Sequence, residues 1–114
     1  MKNLDSEMLH GNAETLVLAL LAEEEGYGYQ IRKDLAARSD HYFRFAFGRL
    51  YPLLKTLEMR GLARARWVKV GVVRRRRHYV ITRKGLLVLA ERKRKWRRFS
   101  SAMNSVLSDG DEQH

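Results

Sequence analysis

The sequence predicts a mainly helical domain of the α+β class, in which three helices precede a two-stranded hairpin and one long helix follows it. Leucines recur at helical spacing between Gly48 and Gly61, whereas residues 62–70 alternate as a strand does. A second apolar series, spaced by threes and fours, runs through residues 83–107. A chain of 114 residues is long enough for one such domain.

The first two helices are predicted over residues 4–22 and 29–37. The apolar residues of the first keep a spacing of three or four and are Leu9, Ala13, Leu16, Val17, Leu20 and Leu21. In the second helix, Ile31 and Leu35 are expected to face inward. Gln30 lies near its N-terminus, where free N–H groups bind anions, and is therefore a candidate phosphate contact.

Residues 39–47 have no helical period. Their aromatic members alternate with polar or small residues and are Tyr42, Phe43, Phe45 and Phe47. We expect a structured connection or a short strand whose aromatic side chains fill the core. Stacking of these rings on nucleic-acid bases is the alternative.

The third helix is predicted from Gly48 to Gly61, and its buried stripe consists of Leu50, Leu53, Leu54 and Leu57. Gly61 is expected to end it in a left-handed conformation. Pro52 is expected in the first turn, where a missing N–H costs little. Arg49, Tyr51 and Lys55 lie largely off the stripe, and for Tyr51 packing against the hairpin is the alternative role.

The hairpin carries an unusual concentration of arginine. Ala63, Ala65 and Trp67 alternate with Arg64, Arg66 and Val68, and residues 70–72 form the predicted tip. The returning arm begins with Arg74–Arg77, whose nearest acids in sequence are Glu58 and Glu91. Because these arginines cannot all pair internally, they and Lys69 are predicted to bind phosphates. The alternative, for at least one of the four arginines, is a solvated side chain, because a strand alternates its faces.

Thr82 is a predicted N-cap for the last helix, which spans residues 83–107 and would be about 37 Å long. Its apolar seam consists of Leu86, Leu89, Trp96, Phe99, Met103 and Val106, with Lys93 at the missing step. A domain this small cannot cover such a helix, so an identical helix in a two-fold dimer is the expected partner. Residues 109–114 are predicted to be a disordered tail.

The net charge of +10 is unevenly distributed. Residues 61–99 hold 15 of the 23 basic residues and a single acid, Glu91. A nucleic acid or an anionic membrane surface would attract such a block. No signal peptide or membrane-spanning run is evident, which predicts a cytoplasmic protein without membrane contact.

Composition and motifs predict no enzyme. Cysteine is absent, which excludes disulfides, thiol catalysis and cysteine-bound metal. No two of the 4 histidines have metal-binding spacing, and neither a phosphate-binding glycine loop nor a nucleophile motif occurs. We therefore expect no cofactor and no metal.

Three helices followed by a hairpin is the order of the winged helix-turn-helix, in which the third helix enters the major groove of DNA and the hairpin, or wing, lies beside it. This order predicts a DNA-binding domain over residues 1–82 and a dimerisation helix over residues 83–108. The predicted DNA contacts are Gln30, Arg49, Tyr51, Lys55, Lys69, Arg74, Arg75, Arg76 and Arg77.

Three motifs of the chain resemble the PadR family of bacterial transcriptional regulators over roughly residues 8–90. They are Gly28-Tyr29, Gly48-x-Leu50-Tyr51-Pro52-x-Leu54-x-x-Leu57-Glu58-x-x-Gly61-Leu62, and Tyr79-x-Ile81-Thr82-x-x-Gly85. The resemblance is to the short subgroup with a single C-terminal helix. It implies a homodimeric repressor that binds a palindromic operator in double-stranded DNA. The implied dimer interface comprises Leu89, Trp96, Phe99, Met103 and Val106.

Some PadR-like regulators respond to phenolic acids or drugs, so the resemblance also implies a site for a small aromatic effector. The candidate lining is Leu16, Leu20, Leu89, Trp96 and Phe99, and the alternative is that Trp96 only packs the dimer. Two other functions stay open at this level. One is a nonspecific basic architectural or RNA-binding domain, and the other is a dimeric adaptor that binds an acidic protein or a membrane.

Overall fold

The computed structural model describes the backbone of residues 4–108 and the side chains of residues 12–46 and 48–108. Its elements are α1 (Leu4–Glu23), β1 (Gly26–Tyr27), α2 (Gly28–Arg38), α3 (Phe47–Met59), β2 (Ala63–Val70), β3 (Arg74–Ile81) and α4 (Arg83–Leu107). The mainly helical α+β class with a winged arrangement is confirmed. The predicted tail at residues 109–114 lies outside the described residues.

The sheet has three antiparallel strands in the order β1-β3-β2. β2 and β3 pair along their whole length, from Ala63 opposite Ile81 to Val70 opposite Arg74. β1 adds only Gly26 and Tyr27 to the other edge of β3. The sequence did not predict β1, because two residues are too few for any periodicity to register.

The leucine stripe of α3 lies at the centre of the core, as predicted. Its fully buried members are Leu50, Leu54 and Leu57, which share the core with Val17 and Leu18 of α1. Leu53 packs against the same cluster from its edge. One face of α3 is therefore committed to the core, and the opposite face is left to solvent.

Gly61 ends α3 as predicted, with φ of 76°. Its N–H donates to the carbonyl of Glu58 at 3.0 Å, and the N–H of Leu62 donates to the carbonyl of Leu57 at 2.9 Å. This pair of bonds is a Schellman motif, which satisfies the last carbonyls of the helix and needs a left-handed residue at this position. The chain thereby turns directly from α3 into β2.

The prediction that Pro52 lies in the first turn of α3 was wrong. The helix begins at Phe47, so Pro52 falls in the second turn and cannot donate to the carbonyl of Gly48. A tertiary contact lies just ahead of this start, since Arg32 Nε donates to the carbonyl of Phe45 at 2.6 Å. That bond holds the chain just ahead of Ala46, the N-cap, whose carbonyl accepts from Leu50 at 3.1 Å.

Residues 39–46 form the structured connection that was predicted, with no strand. Ser39 Oγ donates to the carbonyl of Leu35 at 2.8 Å and accepts the N–H of Phe43 at 2.9 Å. Phe45 is buried in the core, whereas Tyr42 is 59% exposed. The aromatic residues therefore fill the core only in part, and the predicted role of the Phe47 side chain lies outside the described residues.

Thr82 caps α4 as predicted, since its Oγ1 accepts the N–H of Gly85 at 3.0 Å and donates to the carbonyl of Gly61 at 2.6 Å. Leu89 is buried in the core, but α4 then extends past the body of a molecule whose longest dimension is 65 Å. The large apolar residues exposed on this extension are Trp96, Phe99, Met103, Val106 and Leu107. The expectation that one domain cannot cover this helix is consistent with their exposure.

Candidate nucleic-acid interface

Three of the predicted DNA contacts belong to α3, and Arg49, Tyr51 and Lys55 are all exposed. Arg49 and Tyr51 are about 200° apart around the helix, so they flank the buried leucines on either side: Arg49 lines a cleft with Trp96, and Tyr51 packs on the start of α2. The Arg49 guanidinium lies 5.8 Å from the centre of the Phe45 ring, a distance at which a cation is attracted to the π-face.

The Tyr51 ring packs against Gly28 of the neighbouring helix α2. A Cβ added to Gly28 would lie 2.8 Å from the Tyr51 ring, so only glycine leaves room for the ring at this position. Tyr51 nevertheless remains 49% exposed. Its ring therefore packs on the start of α2 and also forms part of the exposed surface.

The wing divides its four arginines between two faces, because neighbouring strand residues point in opposite directions. Arg75 and Arg77 lie opposite Lys69 and Trp67 and share their face. Arg74 and Arg76 lie opposite Val70 and Val68, on the other face. Cationic side chains therefore surround the arm on both sides.

The four arginines of the wing differ in their contacts within the protein. Arg77 Nη2 donates to both carboxylate oxygens of Glu58, at 3.0 and 2.9 Å, and so ties the wing to α3. The Arg75 guanidinium lies 5.4 Å from the centre of the Trp67 ring, and that of Arg76 lies 4.3 Å from the Tyr27 ring. Among the described residues, none of Lys69, Arg74, Arg75 and Arg76 forms an ion pair with an acid. These four cations remain available to an external anion.

The root of the wing is held by Glu25. Its carboxylate accepts from Arg66 Nε at 2.9 Å and from Nη2 at 2.8 Å, and it lies 3.2 Å from His78 Nδ1. The hydrogen bond from Arg66 lowers the pKa of the Glu25 carboxyl below its ordinary value. Arg66 thus joins β2 to the segment before β1.

Gln30, the remaining predicted DNA contact, has acidic surroundings. It lines a cavity of about 310 Å³ whose other polar residues include Glu23, Glu24, Glu25 and Asp34. Arg38 lines the same cavity and pairs with Glu23, while Arg66 pairs with Glu25. The structure therefore does not group Gln30 with the free cations of the wing.

A larger cleft of about 860 Å³ lies between α1, α3 and α4. Trp96 and Phe99 line it with ring centres 5.7 Å apart, facing Arg49 and Leu53 of α3. Of the residues predicted for an effector site, only Trp96 and Phe99 lie here, because Leu16, Leu20 and Leu89 are outside the lining. Leu89 is also separated from the exposed seam predicted for the dimer, since it packs in the core.

Sequence reasoning assigned no role to Trp67 or to the valines of the wing tip. Trp67 is 57% exposed and lies beside both Arg75 and Arg77, each within 6 Å of its ring centre. The sequence feature that could have indicated a role for Trp67 is its position between Arg66 and Lys69 on a hairpin strand. The part of the chain that the structure describes contains no group of acidic and histidine residues suited to a metal, and no helix long and apolar enough to cross a bilayer.

Comparisons of the sequence and of the structure with known proteins identify the same family. The model of the PadR-like family of transcriptional regulators matches residues 17–91. A PadR-like transcriptional regulator from Bacillus cereus is 30% identical, with a TM-score of 0.80 over 90% of this chain and 98% of its own. A PadR family regulator from Eggerthella lenta is 34% identical, with a TM-score of 0.74 over 93% of this chain and 87% of its own. Bacillus subtilis PadR, solved in complex with operator DNA, is 24% identical, with a TM-score of 0.64 over 69% of this chain and 45% of its own.

Proposed function

Because the chain belongs to the PadR-like family of transcriptional regulators, which are DNA-binding regulators and not enzymes, we propose that it is a homodimeric repressor of a palindromic operator. In this proposal residues 1–82 bind DNA and residues 83–108 form the dimer. The observation that carries it is the group of free cations on the wing, Lys69 and Arg74–Arg76, beside the exposed face of α3.

The two parts of this surface have different tasks. α3 is narrow enough for the major groove and presents Arg49, Tyr51 and Lys55, whose donors can reach base edges. The wing carries four cations without an acidic partner among the described residues, Lys69 and Arg74–Arg76, and such charges attract phosphates whatever the sequence. We therefore assign operator choice to α3 and most of the affinity to the wing.

Dimerisation through α4 explains why the operator should be palindromic. Burial of Trp96, Phe99, Met103 and Val106 against a second copy would cover the exposed seam. A two-fold dimer presents two copies of α3, which read two half-sites of opposite orientation. Lys93, exposed beside the seam, must point away from its copy to avoid repulsion.

Footprinting on the DNA upstream of the protein's own gene tests the proposal. We expect one protected segment with two-fold symmetry, and a preference over bulk DNA of about 10³ or more. Uniform binding to every duplex would instead indicate a nonspecific architectural protein. The absence of protection on any DNA would favour an adaptor for an acidic protein or a membrane.

Replacement of Arg49 by alanine is expected to weaken binding by an amount that depends on the operator sequence, up to about 150-fold, because a base contact is worth about 1–3 kcal/mol. Titration of wild type and variant against operators with single base changes measures this dependence. Arg98→Ala, which removes an exposed arginine from α4, is the matched control. An equal loss on every operator would make Arg49 a phosphate contact.

We further propose that a flat aromatic effector binds the cleft between α1, α3 and α4 and releases the DNA. Trp96 and Phe99 supply apolar surface, and Arg49 connects the cleft to the recognition helix. In a Trp67→Phe background, titration of aromatic carboxylic acids should change the fluorescence of Trp96. An aromatic compound that derepresses transcription without changing this fluorescence would exclude the site.

A further inference from the structure

The recognition helix ends in an ion pair with the root of the wing. Glu58 lies in the last turn of α3, and its two carboxylate oxygens accept from Nη2 of Arg77 in β3 at 3.0 and 2.9 Å. A carboxylate in this turn faces the negative end of the helix dipole, so it does not favour the helix. The two side chains are 32% and 44% exposed, and an exposed ion pair adds little to folding stability. The position of the pair therefore points to DNA binding more than to folding.

The ion pair lies at the corner between the two parts of the DNA-binding surface. Glu58 follows Lys55 by three residues and Tyr51 by seven, so the three residues share one side of α3. Arg77 continues the series Arg74–Arg76 toward the root of the wing. A duplex that contacts both α3 and the wing therefore passes close to this pair.

The guanidinium of Arg77 is held by aromatic rings as well as by Glu58. It lies 5.7 Å from the centre of the Trp67 ring and 6.0 Å from that of Tyr79, within the range of cation–π attraction. These contacts restrain its orientation, and Glu58 neutralises its charge. The four free cations of the wing have no such acidic partner among the described residues. A phosphate that approaches Arg77 must therefore compete with the carboxylate already bound there.

We propose that Glu58 is a specificity-determining residue, which withholds Arg77 from the phosphates of DNA. This inference rests on the proposed function. A phosphate contact adds affinity for every sequence and carries no sequence information. On random DNA the protein can shift along the backbone until a phosphate meets a free guanidinium, whereas base contacts fix its register on the operator. By neutralising Arg77, Glu58 therefore lowers the affinity for random DNA more than the affinity for the operator.

Glu58→Gln tests this inference, because it removes the carboxylate charge and keeps the size of the side chain. On a random-sequence duplex we expect binding about tenfold tighter near 0.1 M salt, with a slope of log K against log salt steeper by about 0.9, the value of one phosphate contact. On the segment protected by footprinting, the gain should be about threefold at most, so the operator preference falls. Binding isotherms at several salt concentrations measure both effects, and thermal unfolding checks that the variant is folded. An unchanged slope on random DNA would overturn the proposal.

The double variant Glu58→Gln with Arg77→Gln identifies the source of the gain. It removes a pair whose charges cancel, so the salt slope and the operator preference should return to their wild-type values. A slope shallower than that of the wild type by about 0.9 would show that Arg77 already binds a phosphate, and would overturn the proposal. A loss of affinity for the operator alone would make the pair a support for the position of the wing, which also contradicts the proposal.

Glu91→Gln is the matched control. It makes the same change in net charge on α4, where Glu91 pairs with Arg94 and Lys95, and it should leave the affinity for random DNA and the salt slope at their wild-type values. An equal gain in this variant would attribute the effect to net charge and overturn the proposal. If the wild type shows no operator preference, the proposed function fails, and the slopes on random DNA still decide whether Glu58 withholds Arg77.

Discussion

Replacement of Gly85 by alanine is expected to lower the free energy of unfolding by about 3 kcal/mol, because the added methyl group has no space. A Cβ at this position would overlap the carbonyl oxygen of Leu62 and lie 2.7 Å from Cγ1 of Ile81. The Leu62 carbonyl is backbone at the turn between α3 and β2, and it also accepts the N–H of Thr82 at 3.1 Å. The first turn of α4 must therefore move away from the turn between α3 and β2, which strains the packing of α4 against the rest of the domain.

Urea unfolding at a fixed protein concentration measures this loss, since the stability of a dimer depends on concentration. Gly48→Ala is the matched control, because a Cβ there meets nothing within 4 Å. Gly48 lies within α3, so that substitution is expected to raise stability by about 0.5–1 kcal/mol. If the Gly85→Ala protein is as stable as the wild type, α4 does not approach the Leu62 carbonyl as closely as described here.

Reversal of charge at Arg75 and Arg76 to glutamate is expected to weaken binding to all DNA sequences alike, by about 100-fold near 0.1 M salt. Both side chains are exposed and have no acidic partner in the described chain, so each is available to a phosphate. Loss of two phosphate contacts should also reduce the slope of log K against log salt by about 1.8. Binding isotherms at several salt concentrations, on operator and on random duplex, measure both effects.

Arg97→Glu with Arg98→Glu is the matched control for this experiment. It makes the same change in net charge at two exposed arginines of α4, away from the wing. Its dimer state is checked by light scattering, because both positions adjoin the apolar seam. Equal losses in the two proteins would attribute the effect to net charge, and unchanged binding by the wing variant would remove the wing from the DNA.

Positions that depend on local periodicity were predictable. The spacing of Leu50, Leu54 and Leu57 forces one face of α3 inward, and the core contains these side chains as expected. The cap at Thr82 and the left-handed Gly61 were predictable for the same reason, since each satisfies backbone groups within a few residues of itself. These features also determine which face of α3 is exposed.

Features that join distant segments were not predictable. The pairing of β1 with β3 depends on Tyr79, and the connection before α3 is bonded to Arg32, and both partners lie far away in sequence. The same limit applied to candidate residues. The phosphate contact of Gln30 stays a prediction, and folding places this residue in a cavity lined by both acids and Arg38. Leu89 fitted the helical seam, but folding places it in the core.

By itself the sequence determined the order of the elements other than β1, the buried face of α3 and the concentration of positive charge after Gly61, because each depends on residues close together in the chain. Only the tertiary structure decided which cations stay available. Glu58 binds Arg77 and Glu25 binds Arg66, whereas Arg74–Arg76 have no acid within reach in the described residues. The physical reason is that an ion pair needs contact between charges, and contacts between remote segments exist only once the chain has folded.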